Sequence, residues 1–164
     1  MTETILHLGS NIGFKAINLE LARVMVENHI GTISSISEIY QTSAWGHTAQ
    51  EDFYNQAIIC YTDLSAEEVL EWVKHIERKM GRAKAEHWGP RIIDLDIIFY
   101  GDKIVKEEHL IIPHPQLTNR NFVLVPLLDI CPQKIHPIAH KTIAVLHEEC
   151  QDEGTVTQIK MEEY

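Results

Sequence analysis

The stretch that organises this chain is "IIDLDIIFY", Ile92–Tyr100. Isoleucine, phenylalanine and tyrosine favour extended backbone because branched and aromatic side chains pack well on a pleated surface. Yet Asp94 and Asp96 interrupt the run. Side chains two apart on a strand project to the same side, with Cα atoms about 6.5–7 Å apart. Asp94 and Asp96 therefore share one face, and Ile93, Leu95 and Ile97 share the other, which is predicted to be core. Two ionised carboxylates this close repel each other, and more strongly when dehydrated. One resolution is a cation between them. An oxygen-only pair suits Mg²⁺, which keeps waters and accepts substrate phosphates as its remaining ligands. The same spacing serves two ions roughly 3.5–4 Å apart. The other resolution is a solvent-facing polar side on which Asp94 pairs with Arg91, three residues earlier.

Upstream lies "RKMGRAKAEHWGPR", residues 78–91, with Arg78, Lys79, Arg82, Lys84 and Arg91 against the single acid Glu86. In a chain of net charge −10, with 14 Lys plus Arg and 24 Asp plus Glu, this is the dense basic patch. Cations on a loop punctuated by Gly and Pro, beside a diacid, match what surrounds a magnesium-bound polyphosphate. A solvated charged face is the plainer alternative. Trp88 in this loop either anchors it to the core or stacks on a flat ring. Downstream, "YGDKIV" predicts a hairpin turn around Gly101 and Asp102. "PHPQLTNRNFVLVPLLDI", residues 113–130, begins on proline-restricted backbone and becomes a short apolar helix closed by Pro132. His114, between Pro113 and Pro115, is either a positioned ligand group or an ordinary loop histidine.

Towards the N-terminus, Thr4–Leu8 reads as a strand stopped by "GSNIG". That turn matches neither common phosphate-binding glycine motif, so Ser10 or Asn11 is assigned to the start of the next helix. The helix is predicted over Phe14–Asn28, with Ile17, Leu21, Val24 and Met25 as its apolar side. A β-branched run with Ile33, Ile36 and Ile39 predicts one strand ending near Tyr40. Gln41–Phe53 has no periodicity, and loops of that length in small domains tend to carry function. "YNQAIICYTD", residues 54–63, is a strand; "SAEE" at 65–68 is a capping box opening a helix with Val69, Val73, Ile76 and Met80 as its stripe.

The order strand, helix, strand, strand, helix, strand predicts an α+β fold. Its form is a ferredoxin-like (split βαβ), mainly antiparallel sheet with helices packed on it, in three α/β/α layers. The 164 residues, 45% of them hydrophobic, suit one domain over 1–164. Its core spans about 3–130, and 131–164, with His136 and His140, is expected as a peripheral helix and tail. The acidity argues against nucleic acid and anionic membrane as partners. Cys60, Cys131 and Cys150 lack the number and spacing of a disulfide framework, and Cys60 is predicted to be core. With no signal-peptide pattern and no apolar run of about eighteen residues, the expectation is a cytoplasmic monomer.

"LGSN" (8–11), "FYNQA" (53–57), "WGPRIIDLDIIFYG" (88–101) and "PHPQLTNRNFVLVPL" (113–127), in this order, resemble the 6-hydroxymethyl-7,8-dihydropterin pyrophosphokinase family from about residue 3 to 130. The resemblance implies a folate-pathway enzyme with a ferredoxin-like core, two Mg²⁺ ions, ATP as co-substrate and a reduced pterin as acceptor. By that resemblance Asp94 and Asp96 hold the metals, and Arg82 and Arg91 act on the phosphates. Lys74, Glu77, Lys84, His87, Ile97, His114 and Arg120 are assigned to the nucleotide. Thr42, Ser43, Trp45, Phe53, Asn55, Trp88 and Phe122 surround the pterin, next to Asp94. Asn55 is apt, since an amide offers both donor and acceptor to a pterin edge. The chain departs from the family pattern at His87 and Lys84, where arginine is expected, at Ser43 and Ala44, where a proline is, and at Trp45, where an aliphatic residue is. Its 82–91 loop is one residue shorter than in some relatives. Another two-metal transferase on the same sheet, or a non-catalytic ligand-sensing module, are the rival readings; the aromatic and amide residues favour a flat heteroaromatic acceptor over a sugar.

Overall fold

The computed structural model describes residues 1–42, 52–81 and 91–160. The strands are β1 (Thr2–Ser10), β2 (Thr32–Ile36), β3 (Ile39–Thr42), β4 (Phe53–Thr62), β5 (Asp94–Tyr100), β6 (Val105–Glu107), β7 (Leu110–Ile112) and β8 (Val156–Ile159). The helices are α1 (Lys15–His29), α2 (Ala66–Lys79), α3 (Asn121–Ile130) and α4 (Ile143–Glu149), with a 3-10 turn at Leu117–Asn119. Among the described residues the main sheet runs β5-β1-β4-β3-β8, with β2 also pairing β4, and every pairing is antiparallel. β5-β1-β4 followed by β2 and β3 is the ferredoxin-like strand order. Each face buries one apolar cluster. Leu6, Leu8, Ile58, Cys60, Leu95 and Ile97 meet α1 and α2 on one side. Ile5, Ala57, Ile59, Ile98 and Phe99 meet α3 and α4 on the other. The three layers follow.

Several predicted elements stand where the sequence puts them. Ser65 caps α2: Glu68 N–H donates to Ser65 Oγ, and Ser65 N–H donates to the Glu68 carboxylate. Val69, Val73 and Ile76 are buried beneath that helix, and Met80 packs against the same cluster. Cys60 is fully buried, and burial pushes its thiol up to about 12.

Other expectations are overturned. α1 turns Leu19, Ala22 and Val26 to the sheet and leaves Ile17, Leu21 and Val24 half-exposed, with Met25 partly buried. Apolar residues occur around most of this helix, so spacing alone does not select a face; docking on the sheet does. The β-branched run forms two strands, not one. Ser37, between β2 and β3, is buried; its backbone N–H donates to the Ala57 carbonyl, and its hydroxyl oxygen accepts from Ala57 N–H. The side chain thus replaces a ladder bond and lets the strand bend. Gly101 takes φ +54 in a tight turn after β5, as predicted, but β6 does not return along β5; it pairs with β7.

The C-terminal segment is more than a tail. β8 adds an edge strand beside β3. Asp152 receives Asn121 N–H at 2.9 Å and Asn121 Nδ2–H at its backbone oxygen at 2.8 Å, which satisfies a free donor at the start of α3. At the other end of α3, Asp129 accepts the Tyr40 hydroxyl and Glu38 N–H. Burial and this carboxylate push the Tyr40 phenol well above its ordinary range. α3 is therefore held at its start by the C-terminal segment and at its end by Asp129 bonding to Glu38 and Tyr40, which matters because the site lies where α3 begins.

Candidate active site

Residues directly opposed in an antiparallel ladder project to the same face. Gly9 opposes Asn55 on β4 and Asp94 on β5; His7 opposes Ala57 and Asp96; Thr42 on β3 opposes Phe53. Asp94, Asp96, His7, Phe53, Asn55 and Thr42 therefore lie on one side, the side that α3 covers farther along. The partner positions Leu95 and Ile97 are buried on the other side, as the alternation predicts. Asp94 and Asp96 are half-buried.

Arg91 approaches Asp94 at 3.3 Å, with both side chains largely shielded from solvent. Arg91 is itself pinned by Asn11: Arg91 N–H donates to Asn11 Oδ1 at 2.7 Å, and Asn11 N–H donates to the Arg91 carbonyl at 3.0 Å. Asn11 therefore serves the arginine, not the start of α1, whose N-cap position is Phe14 with no side-chain cap. Ser10 accepts from Asn18 Nδ2–H, which closes the same turn. Glu77, buried on α2, accepts Leu95 N–H at 3.0 Å. It occupies the donor that an edge strand would otherwise leave open and holds β5 between its two aspartates.

At the other end of the face, Asn55 is buried and donates Nδ2–H to Thr42 Oγ1 at 2.8 Å. That bond fixes which way the amide points. Gly9 leaves room beside it: a Cβ there would lie 3.4 Å from Asn55 Oδ1 and 3.6 Å from Phe53 Cδ1. Gly9→Ala should therefore raise the KM of the acceptor about tenfold while leaving that of the nucleotide nearly unchanged, as steady-state kinetics with each substrate varied would show.

Arg120 lies at the N-cap of α3 with its guanidinium carbon 5.6 Å from the Phe122 ring centroid. His114 donates its backbone N–H to the Ile98 carbonyl, and its Nδ1 accepts Gln116 N–H at 3.2 Å. Its proton therefore sits on Nε2. Burial, with Arg120 second, pushes His114 down to about 4. His7 is pushed down to about 4 chiefly by burial. Both rings are neutral at pH 7. From about pH 6.5 downward the unfolded chain takes up protons at these positions before the folded protein does. The stability they contribute is complete above pH 6.5 and is lost as pH falls towards 4. Between pH 7 and 5 the loss from buried His7 alone should be on the order of 2 kcal/mol, measurable by urea unfolding of the metal-free protein and flattened in His7→Gln.

The other assigned residues divide. Ile97 points its side chain into the core beneath α2, so only its backbone is available to a nucleotide. Lys74 is exposed on α2, on the sheet face opposite the aspartates. Ser43, Trp45, Arg82, Lys84, His87 and Trp88 lie outside the described residues. The roles of His7, Gly9 and Asn11 were not legible in the sequence; the available signals were a histidine inside an apolar strand and the "LGSN" motif. Asp94 and Asp96 present oxygen ligands only, and among the described residues no third His, Cys, Asp or Glu completes a cage. That donor set fits magnesium, whose remaining positions go to water and phosphate.

By its strand order and layers the chain is a ferredoxin-like α+β domain, with a diacid on β5 and, across β1 on the same face, the buried Asn55 amide beside Phe53. It belongs to the 7,8-dihydro-6-hydroxymethylpterin-pyrophosphokinase family, whose model matches residues 5–132. It is 38% identical over 143 residues to the 2-amino-4-hydroxy-6-hydroxymethyldihydropteridine pyrophosphokinase of Aquifex aeolicus, covering 87% of this chain and 89% of that one. The Bacillus subtilis protein of the same name is 40% identical over 127 residues, covering 77% and 76%. The folic acid synthesis protein FOL1 of Dictyostelium discoideum is 42% identical over 84% of this chain, which spans only 21% of that longer protein. Among solved structures, a Plasmodium falciparum HPPK-DHPS superposes with a TM-score of 0.74 at 20% identity, covering 90% of this chain and 45% of that one. That likeness concerns the fold.

Proposed function

We propose that this chain transfers the terminal pyrophosphoryl group of ATP to the hydroxymethyl oxygen of 6-hydroxymethyl-7,8-dihydropterin, in folate biosynthesis. The observation that carries the reading is one stretch of sheet face that, among the described residues, lies beyond α3. It sets a magnesium-compatible diacid and a clamped arginine across one glycine-bearing strand from a buried amide fixed by Thr42. Phosphoryl chemistry needs the first end and a flat, polar-edged acceptor the second.

The pterin hydroxyl attacks the β-phosphorus, the bond from that phosphorus to the oxygen bridging it to the α-phosphate breaks, and AMP leaves with the bridging oxygen. Asp94 and Asp96 would hold Mg²⁺, two ions in the full complex. Bound there, magnesium offsets phosphate charge and makes the hydroxyl more acidic. Asp96 is the candidate acceptor of the hydroxyl proton. Arg91, oriented by Asn11 and Asp94, offers its guanidinium to the phosphate side. Neutral His114 presents Nε2–H, and Arg120 a guanidinium, to the nucleotide. Asn55 reads the polar edge of the pterin, with the Phe53 and Phe122 rings at its faces. Arg82, Lys84 and His87 are assigned to phosphate, and Ser43, Trp45 and Trp88 to pterin, on the family resemblance. Much of catalysis here is alignment of two bound substrates.

The proposed setting is a single-domain monomer in the cytoplasm acting on small molecules. Among the described residues no helix is long and apolar enough to cross a membrane. The test is AMP release from Mg-ATP with and without the pterin. Pterin-dependent AMP supports the reading. ATP binding with no pterin dependence would move the site to another acceptor.

A further inference from the structure

His7 sits in the middle of β1, between Ala57 on β4 and Asp96 on β5, and is almost fully buried. Its Nε2 lies 3.0 Å from the Phe122 carbonyl oxygen. A carbonyl only accepts, so Nε2 carries the proton and donates. In an α-helix the carbonyl of residue 122 would receive the N–H of residue 126. Here residue 126 is Pro126, inside α3, and it has no N–H to give. A part-buried carbonyl deprived of its helical donor needs another, and His7 supplies it from the sheet. The two rings also touch: the His7 and Phe122 centroids are 5.9 Å apart and tilted by 59°. The Arg120 guanidinium lies within cation–π reach of the Phe122 ring.

We propose that His7 is a positioning residue for the acceptor pocket: by donating Nε2–H to the carbonyl that Pro126 leaves without a helical partner, it sets where the Phe122 ring stands over the site. The inference rests on the pterin reading above. Ala57 opposite His7 supports it, because only a small neighbour leaves room for an imidazole beneath α3.

The test is a double-mutant cycle between two positions that do not both touch substrate. His7→Ala should raise the pterin KM about tenfold, the effect of one lost buried hydrogen bond, with the ATP KM changed by less than about twofold. Pro126→Ala alone should stay near the parent value. In the double variant the new N–H at position 126 takes over the Phe122 carbonyl, and most of the pterin KM should return. A general loss of packing would lower stability without that rescue. An unchanged pterin KM in His7→Ala, or a raised one that Pro126→Ala fails to restore, overturns the proposal.

If His7→Ala does not fold, long-range ¹H–¹⁵N spectra of the parent decide the tautomer. An exchange-protected Nε2–H supports the anchor, and a proton on Nδ1 overturns it. Should the parent itself release no pterin-dependent AMP, the acceptor reading fails, and these spectra still judge the His7–Phe122 bond separately.

Discussion

Asp96→Ala is expected to cut pterin-dependent AMP release by at least about a thousandfold, while the protein folds as well as the parent or better. The two halves of this expectation have one cause. Without a cation, Asp94 and Asp96 stand on one face of β5 as like charges, offset in part by Arg91 at 3.3 Å from Asp94. Removing one carboxylate relieves repulsion, so the melting temperature without magnesium should hold or rise. With magnesium the order reverses. The parent gains stability from a ligand that binds only the folded state, and the variant does not. Melting curves with and without magnesium, beside the AMP assay, separate a metal-ligand role from a structural one. A variant that loses activity and also melts far below the parent would assign Asp96 to the fold.

Asn55→Leu should have the next largest effect, on the acceptor alone. The replacement keeps the branching and heavy-atom count of the side chain, and it removes the amide that Thr42 holds in place. A site built to hydrogen-bond a polar edge rejects a mismatch strongly, because the unmatched groups are left buried. At about 2 kcal/mol for each unpaired buried group, two such losses lower kcat/KM for the pterin by roughly 10³-fold. ATP binding, measured by calorimetry with a non-hydrolysable analogue, should remain near the parent value. Thr42→Val, which frees the amide without removing it, should fall between, at roughly tenfold. Equal losses in nucleotide and pterin affinity would mean that Asn55 supports the sheet and does not read the acceptor.

Periodicity carried far in this chain where it described one element. The two-residue alternation of β5 separated Asp94 and Asp96 from Leu95 and Ile97, and the capping box at Ser65 and Glu68 opened α2 where it was expected. The sequence of elements was enough for the ferredoxin-like order of the sheet. These features depend on neighbours in the chain, so local steric and hydrogen-bonding preferences express them directly.

What needed the tertiary structure depends on contacts between distant segments. No spacing rule tells which side of α1 meets the sheet, and Ile17, Leu21 and Val24 face outward although they share a helical stripe. β6 pairs with β7 because β1 already occupies one edge of β5 and α2, through Glu77, caps a donor on that strand. Asn11 clamps Arg91 across 80 positions of sequence, and His7 reaches Phe122 across 115. Local pattern could name the aspartates and the arginine as chemistry-bearing residues, and the family resemblance added the amide. Only antiparallel register put them on one face, because register decides which residues stand opposite one another and the packing of α3 decides how much of that face stays open.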